Sequence, residues 1–222
     1  MTQVTLVCGS GGALGSSLVE TMLTRGDDVV AVDRTPGGDV QPRLQHETVD
    51  LTSADEVNAL WERLAAAGRT PRWVVNAVGG FRPGTVADSD PASLRFMEDL
   101  NLGTAWWSCA AAARHLVGGG AVVNIASRTA VAGGVGSAPY AVAKAGVVHL
   151  TEVIAGEVAE RRIRVNAVLP SVIDTPANRA SMTAEQMQGA VAPHDIASVV
   201  SFLLSDAAAA VTGAIIPVYG FA

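Results

Sequence analysis

Two side chains have types and a spacing that suit proton transfer. Tyr140 and Lys144 lie four residues apart in the segment 140–144, so on one helix they share a face about one turn apart. A phenol has a reference pKa of about 10, and a nearby ammonium favours the phenolate and lowers that pKa. We therefore expect Tyr140 to exchange a proton with a carbonyl or hydroxyl oxygen. A surface tyrosine beside a solvated lysine has the same spacing, so the pair alone leaves both interpretations open.

A glycine-rich loop joins the first predicted strand, at 3–8, to the first predicted helix, at 13–25. Such a loop turns tightly, brings backbone N–H groups close to a phosphate, and places that phosphate at the positive end of a helix dipole. A glycine-rich turn without a ligand is the alternative, but the position between strand and helix favours a dinucleotide site. The residues of this candidate site are Gly9, Gly11, Gly12, Ala13, Leu14 and Gly15.

An acidic residue, Asp33, ends the second predicted strand, eighteen residues after Gly15. A carboxylate at this place accepts hydrogen bonds from both hydroxyls of an adenosine ribose and repels a 2′-phosphate, which favours NAD(H) over NADP(H). Arg34 follows directly and can pair with a 2′-phosphate or stack on adenine, although the glycine loop adds no Lys or Arg. In the other interpretation, Asp33 caps a turn.

The elements that must position these residues alternate short Val/Ile-rich runs with longer helix-patterned segments, which is typical of βαβ units. Right-handed crossovers then place helices on both faces of one parallel sheet, and ligands outside the carboxyl ends of its strands. The 222 residues therefore predict an α/β fold: a single Rossmann-type domain over 1–222 with a doubly wound seven-stranded parallel sheet. We expect strands near 3–8, 28–33, 46–50, 72–77, 121–126, 163–169 and 214–218, and helices near 13–25, 53–67, 90–116, 138–160 and 194–205.

The composition disfavours several classes of protein. The net charge of −6 is spread along the chain without a run of Lys or Arg, which argues against nucleic-acid and membrane partners. The uncharged stretches 129–143 and 207–222 fall short of the ~20 apolar residues that a membrane span needs. The two cysteines and four histidines show no metal-ligand spacing. We expect a soluble cytoplasmic protein without a metal site.

With these residues in place, the chain resembles the short-chain dehydrogenase/reductase family. The resemblance runs from the first strand nearly to the last residue, and the thirteen-residue spacing from Ser127 to Tyr140 matches the family's catalytic pair. Besides the glycine loop and the Tyr140/Lys144 pair, the motifs that carry it are Asp50 after the third strand, Asn76-Ala77-Val78-Gly79 after the fourth, Asn101 in a helix, Ser127 after the fifth, and Pro170-Ser171-Val172-Ile173-Asp174-Thr175 after the sixth.

The resemblance implies an oxidoreductase that transfers hydride between a nicotinamide cofactor and a carbonyl or alcohol substrate. Tyr140 would act as general acid/base, and Ser127 would donate a hydrogen bond to the substrate oxygen. Lys144 would hold the nicotinamide ribose, and Asn101 would anchor a water that joins Lys144 to solvent. The implied cofactor-binding residues include the glycine loop, Asp33, Arg34, Tyr140 and Lys144. They also include Asp50 and Leu51 at the adenine, Asn76 and Gly79 at the centre of the cofactor, and Pro170, Val172 and Thr175 near the nicotinamide.

Three departures from the family pattern leave alternatives open. Ala13 stands where the family has its second glycine, the segment 76–79 differs from Asn-Asn-Ala-Gly, and Ser171 replaces a glycine. The segment 11–15 resembles the dihydropteridine reductase branch, so an NADH-dependent pteridine reductase is a second hypothesis, although that branch manages without the serine found here at Ser127. A non-catalytic dinucleotide-sensing protein is a third, but such proteins tend to lose the Tyr–Lys pair.

The remaining expectations concern the substrate and assembly. The segment after Thr175, which in relatives forms a mobile lid over the substrate, is short and suggests a small substrate or an open pocket. Arg179 within it can bind an anionic group or be a solvated surface residue. The helices near 90–116 and 138–160 are rich in Ala and Val, and the resemblance implies a homodimer or homotetramer through them. Trp106 and Trp107 are expected in the core or in that subunit contact, rather than against a substrate.

Overall fold

A computed structural model describes residues 3–38 and 41–221. Within these ranges the strands form one sheet in the order β3-β2-β1-β4-β5-β6-β7, and every neighbouring pair is parallel. The predicted seven-stranded parallel sheet is therefore confirmed. The strands are β1 (Val4–Cys8), β2 (Asp28–Asp33), β3 (Leu44–Thr48), β4 (Trp73–Asn76), β5 (Gly120–Ile125), β6 (Ile163–Pro170) and β7 (Ile215–Val218).

Helices connect successive strands, except β2 and β3, which have no helix between them in the described residues. They are α1 (Ala13–Arg25), α2 (Ala54–Ala66), α3 (Pro91–Glu98), α4 (Thr104–His115), α5 (Thr129–Ala132), α6 (Ala138–Glu157), α7 (Pro176–Ser181) and α8 (Pro193–Leu204). A π-helical segment at Asp99–Gly103, called the π turn below, separates α3 from α4. Among the described residues, no helix combines the length and the apolar character that a bilayer crossing requires.

Successive strand residues point to opposite faces of the sheet, and helices pack against both faces, so both are buried. Leu6 of β1 packs on one face with Trp61 of α2, in a core that also holds residues of α4 and α6. Val7, the next residue, packs on the other face with Leu18 of α1 and Leu203 of α8. The predicted arrangement of helices on both faces of the sheet is thus confirmed.

Some predicted boundaries are wrong. The strand expected at 46–50 runs from Leu44 to Thr48, because its hydrogen bonding follows β2 from Val29 to Asp33 and ends where β2 ends. The helix expected over 90–116 is interrupted by the π turn, where the Thr104 N–H donates to the Asp99 carbonyl five residues back. Such a turn inserts the equivalent of one extra residue into a helix, and these insertions are frequent at functional sites.

Candidate active site

Ser127 and Tyr140 meet just beyond the carboxyl end of β5. Ser127 is buried two residues after β5, and Tyr140 lies in the first turn of α6. The Ser127 Oγ lies 2.9 Å from Thr129 Oγ1 and accepts from the Thr129 N–H at 3.2 Å. Burial raises the pKa of Tyr140, and the Ser127 hydroxyl, hydrogen-bonded to the phenol, lowers it by less. The net effect is a pKa above the ordinary tyrosine value, so the phenol keeps its proton at neutral pH.

Lys144 lies one turn after Tyr140 and is only 4% exposed. Its Nζ donates to the Ile125 carbonyl oxygen at 2.9 Å, and burial lowers its pKa to about 8. The expectation that Lys144 lowers the pKa of Tyr140 is wrong in this structure. Four-residue spacing brings the two side chains to one face, but burial of the phenol outweighs other effects and the ammonium is directed to a backbone carbonyl.

The π turn places Asn101 against the loop that follows β4. Asn101 is buried; its Nδ2 donates to the carbonyl oxygens of Gly80 and Met97 at 3.0 and 3.1 Å, and its Oδ1 accepts from the Gly80 N–H at 3.2 Å. A Cβ added to Gly79 would lie 2.9 Å from Asn101 Oδ1 and 3.2 Å from Lys144 Nζ. The backbone of Gly79 therefore fits closely between Asn101 and Lys144, which leaves no room for a larger residue there.

The glycine loop brings the start of α1 close to the end of β1. A Cβ on Gly15 would lie 2.0 Å from the Gly9 carbonyl oxygen, so only glycine permits this approach. Gly9 itself has a φ of +85°, which glycine adopts without strain. The N-cap of α1 is Gly12, with no side-chain cap, and Ala13 begins the helix exposed. The first N–H groups of α1 thus have no side-chain acceptor, which suits an anion. Leu14, by contrast, is buried in the core.

Asp33 closes this loop from the side of β2. Its carboxylate accepts from the Gly11 N–H at 3.0 Å and from the N–H and hydroxyl of Thr35 at 3.3 and 3.1 Å. Partial burial raises the pKa of Asp33, but these hydrogen bonds together outweigh it and hold the pKa below the usual range. A cavity of about 690 Å³ opens beside it, and its lining includes Glu20 and Glu47 but no Lys or Arg among the described residues.

A second cavity, of about 550 Å³, lies between the ends of β2 and β3 and the π turn, and its lining includes Arg34, Asp50 and Phe96. The hydroxyl and N–H of Thr52 donate to Asp50 at 2.7 and 2.9 Å. These bonds, with a smaller contribution from the Arg34 charge, lower the pKa of Asp50. Leu51 is buried in the hydrophobic core and is not part of the cavity lining.

Asn76 ends β4, but its side chain points into the interior of the protein. Its side chain is buried, and its Nδ2 donates to Asn124 Oδ1 at 2.8 Å. Asn124 in turn donates to Thr151 Oγ1 at 2.9 Å. Cys109 joins the same buried cluster, with its Sγ 3.5 Å from Asn124 Oδ1. The Asn76 side chain thus ties β4 to β5 and, through Asn124, to α6, while its backbone leads into the loop that carries Gly79.

The segment after β6 forms the rim of the site. The Pro170 carbonyl accepts from the Arg128 N–H at 2.9 Å, and the Val172 carbonyl accepts from the Val191 N–H at 2.8 Å. Thr175 Oγ1 caps α7. Arg179, an alternative anion ligand by sequence, is exposed and donates from both Nε and one terminal nitrogen to Asp174. The short segment is therefore a helix held by its own ion pair.

Two aromatic contacts at the site were not predicted from the sequence. The Phe81 ring meets the Tyr140 ring edge to face, with centroids 5.3 Å apart, and is 61% exposed. The Arg128 guanidinium lies 5.0 Å from the centroid of the Tyr219 ring. The sequence offered one clue to these contacts, the closeness to predicted site residues: Phe81 is two residues after Gly79, and Arg128 directly follows Ser127.

Known proteins resemble this chain along nearly its whole length. Cis-4-hydroxycyclohexanecarboxylate dehydrogenase of Sinomonas cyclohexanicum is 34% identical over 237 residues, covering 98% of this chain and 95% of that protein. Galactitol 2-dehydrogenase of Rhizobium johnstonii is 34% identical over 244 residues, covering 96% and 92%. A short-chain type dehydrogenase/reductase from Mycobacterium ulcerans has a structure that matches with a TM-score of 0.90 at 29% identity, covering 98% and 88%.

A family model described as enoyl-(acyl carrier protein) reductase matches residues 11–220. That range contains the glycine loop from Gly11 onward and the residues that meet at the carboxyl edge of the sheet. The matched range includes strands β2 to β7, and β1 lies before it. The chain belongs to the short-chain dehydrogenase/reductase family, whose members are oxidoreductases acting on alcohol and carbonyl groups.

Proposed function

We propose that this chain transfers hydride between a nicotinamide cofactor and a small alcohol or carbonyl substrate, with Tyr140 as general acid/base. The observation that carries the proposal is the cluster at the carboxyl edge of the sheet, where the Ser127 hydroxyl lowers the pKa of the Tyr140 phenol and the Gly79 backbone lies against both Asn101 and Lys144. The burial of Lys144, 4% exposed, supports this interpretation over that of a solvated lysine on a helix surface.

In the reduction, the carbonyl carbon gains hydride and the carbonyl oxygen gains a proton. Reduced nicotinamide supplies the hydride when bound. Tyr140 supplies the proton, and its raised pKa keeps it protonated and ready to donate at neutral pH. Ser127 donates a hydrogen bond to the same oxygen, where negative charge develops as hydride arrives. The products are the alcohol and the Tyr140 phenolate.

Lys144 and Asn101 return the proton to Tyr140. A lysine with a pKa of about 8 holds its proton at neutral pH and gives it up readily. Asn101 Oδ1 accepts from the Gly80 N–H and has a second lone pair free for a water molecule. That water would connect Lys144 to solvent, so that each reduction ends with Tyr140 protonated again. In the alcohol oxidation, the same groups carry the proton in the opposite direction.

The residues present fit a dinucleotide, and they favour NAD(H). The uncapped start of α1 offers N–H groups to the pyrophosphate, and Gly9 and Gly15 allow its close approach. Asp33 stands where an adenosine ribose would place its hydroxyls. The cavity beside Asp33 contains Glu20 and Glu47 and lacks Lys and Arg in its described lining, so a 2′-phosphate in this cavity would meet negative charge. Arg34, the cation next to Asp33, lines the other cavity, beside Asp50.

Arg34, Asp50, Leu51 and Phe96 suit the adenine end of such a cofactor. Asp50 and Arg34 lie in the lining of one cavity, where a planar base can enter beside Phe96. Leu51 directly follows Asp50, and its side chain is buried in the core. At the other end, Pro170 ends β6 and its carbonyl accepts from the Arg128 N–H, next to Ser127. Pro170 and the following Val172 and Thr175 suit the nicotinamide. Asn76 would act through the backbone of the loop that follows it, since its side chain is buried against Asn124.

The substrate class follows from the relatives and from the walls of the site. The two relatives are named for a hydroxycyclohexanecarboxylate and for galactitol. Phe81 presents an exposed aromatic face beside Tyr140, which suits an apolar ring or chain next to the reacting carbon. We therefore place small cyclic alcohols and ketones first among candidate substrates.

The test mixes the purified protein with NADH or NADPH and a panel of carbonyl compounds, and follows the absorbance of the reduced nicotinamide. The panel contains cyclohexanone, 4-oxocyclohexanecarboxylate, a ketohexose and a quinonoid dihydropteridine, the last because the segment 11–15 resembles the pteridine reductase branch. Reduction of the dihydropteridine alone would favour that second hypothesis. NADH binding without reduction of any compound would favour the dinucleotide-sensing hypothesis.

The variant that tests the role of Tyr140 in this assay is Tyr140→Phe, which removes only the hydroxyl. We expect turnover to fall by about 100-fold or more, the usual contribution of a general acid, while the dissociation constant of NADH changes little. Thermal unfolding of the variant, compared with the wild type, shows whether the fold is intact. A Tyr140→Phe protein with wild-type turnover would show that the proton comes from elsewhere.

A further inference from the structure

An arginine without an ionic partner lies beside the candidate catalytic residues. Arg128 directly follows Ser127, and its N–H donates to the Pro170 carbonyl oxygen at 2.9 Å. Its backbone is therefore fixed between the ends of β5 and β6, at the same edge of the sheet as Ser127 and Tyr140. The side chain is exposed. In the described part of the chain, no carboxylate forms an ion pair with it.

The guanidinium is held by an aromatic ring rather than by a charge. Its Cζ lies 5.0 Å from the centroid of the Tyr219 ring, and the Tyr219 carbonyl accepts from the Ser171 hydroxyl at 3.0 Å. An aromatic face supports the flat guanidinium while leaving the N–H groups along its edge free to donate. Arg128 is thus oriented and keeps its hydrogen-bonding capacity for another group.

Other arginines near the rim differ from Arg128 in this respect. Arg179 uses two nitrogens on Asp174. Arg34 lies close enough to Asp50 to lower its pKa. Arg82 lies over the Phe96 ring, 3.8 Å from its centroid, and Phe96 lines the cavity at the adenine end. Arg128 therefore combines three properties: attachment to Ser127, aromatic support and the absence of a carboxylate partner among the described residues.

We propose that Arg128 binds a carboxylate on the substrate whose alcohol or carbonyl group reacts at Tyr140. The inference rests on the proposed function and adds a substrate class to it: a small alcohol or ketone with an apolar ring or chain and an anionic group. Phe81 covers the apolar part, and the guanidinium donates two N–H groups to the two carboxylate oxygens in the paired geometry that arginine favours. Arg128 is then a specificity-determining residue that sets the orientation of the substrate.

The first experiment compares two ketones that differ only in charge: 4-oxocyclohexanecarboxylate and its methyl ester. The wild type should reduce the acid with a kcat/KM about 10-fold or more above that of the ester, since a charge-assisted pair is being lost in the ester. Arg128→Gln should abolish this preference by raising KM for the acid, with kcat and the ester's kcat/KM within about 2-fold of wild type. Arg128→Lys, which keeps the charge, should restore part of the preference.

The matched control is Arg72→Gln. Arg72 also lies over an aromatic ring, that of Trp73 at 4.6 Å, but it directly precedes β4, at the opposite end of the sheet, and pairs with Asp206. This variant should keep the wild-type preference for the acid. Equal reduction of acid and ester by the wild type, or an unchanged preference in Arg128→Gln, would overturn the role of Arg128 while leaving hydride transfer intact.

A second experiment does not depend on turnover. Isothermal titration calorimetry measures the binding of cyclohexanecarboxylate and of cyclohexanecarboxamide to the protein in the presence of NADH. The wild type should bind the carboxylate more tightly than the amide, and Arg128→Gln should bind both equally. If this difference is seen while neither ketone is reduced, the anion site stands and the proposed hydride transfer is wrong. Equal binding of carboxylate and amide by the wild type overturns the anion site.

Discussion

Replacing Lys144 by methionine should stabilise the folded chain at neutral pH while removing the ammonium group that the proposed reaction needs. Burial lowers the pKa of Lys144 from 10.5 to about 8, so folding disfavours its charged form by about 3 kcal/mol, at roughly 1.4 kcal/mol per pKa unit. Methionine fills a similar volume without charge, but the hydrogen bond to the Ile125 carbonyl is lost, at about 1 kcal/mol. The expected net gain in the free energy of unfolding is about 2 kcal/mol.

The sign of the pH dependence follows from the lowered pKa of Lys144. Below pH 8 the lysine is charged in the folded and the unfolded chain, so the full penalty is present. Between about pH 8 and 10.5 the unfolded chain holds a proton that the folded chain has released, and wild-type stability rises with pH. At pH 10 only about 1 kcal/mol of the penalty is left. The lost hydrogen bond offsets it, and the two proteins should have nearly equal stability.

Thermal unfolding of the cofactor-free wild type and Lys144→Met at pH 7 and pH 10 measures this difference. For a chain of 222 residues, the midpoint at pH 7 should rise by about 4–8 °C in the variant, at about 2–4 °C per kcal/mol. At pH 10 the two midpoints should coincide. Other ionisable groups titrate in both proteins, so their effects cancel in the comparison.

The sequence provides an independent check because Lys144 is its only lysine. A chain labelled with ¹³C at lysine Cε therefore gives one lysine signal, and its chemical shift reports the pKa directly. We expect a midpoint near pH 8. A midpoint near 10.5, or a Lys144→Met variant that is less stable at pH 7 by an amount that does not change with pH, would refute the reasoning from burial.

Three other predictions follow from the same structure. Asp33→Ser should narrow the preference for NADH over NADPH by ~10-fold or more, equivalent to ~1.4 kcal/mol. Fluorescence titration of the two dissociation constants measures this preference, and a wild type that binds NADPH more tightly would contradict the prediction. Trp106, 51% exposed on α4, should lie in a subunit contact. The Trp106→Arg variant should therefore shift the molar mass measured by light scattering from that of an oligomer towards the 22.7 kDa of the monomer. A monomeric wild type would refute this. Since the pKa of Tyr140 is raised and oxidation needs the phenolate, kcat/KM for alcohol oxidation should rise through the alkaline range, and a profile that falls there would exclude Tyr140 as the base.

Much of the site was accessible from the sequence because chemistry in a parallel sheet collects where strands end. Asp33 ends β2, and Ser127 stands just after β5, so the Val/Ile-rich runs that predict the strands also locate these side chains. The spacing of Tyr140 and Lys144 is a property of any α-helix. Local patterns were therefore sufficient to bring these four residues to one edge.

The rest depends on contacts between residues that are distant in sequence. Whether the Asn76 amide points outward or inward is decided by Asn124, 48 residues away. Spacing placed Lys144 next to Tyr140 but carried no information about burial, which reverses the expected direction of the Tyr140 pKa. Trp106 was expected in the core or in a subunit contact; its 51% exposure in the single chain excludes the core, and the subunit contact stays a prediction. The π turn was not predicted from the sequence, where 90–116 was expected to be one helix.

The π turn makes the positions of α3 and α4 relative to each other depend on a single residue. Removing one residue from Asp99–Gly103 would let α3 continue into α4 as a regular helix, rotating one relative to the other by about 100°. Asn101 would then leave Gly80, and the exposed tryptophans of α4 would turn to a different neighbour. A single in-frame deletion would thus alter the proton route and the outer face of α4 together. Point substitutions can tune either feature separately, whereas length changes at this place cannot.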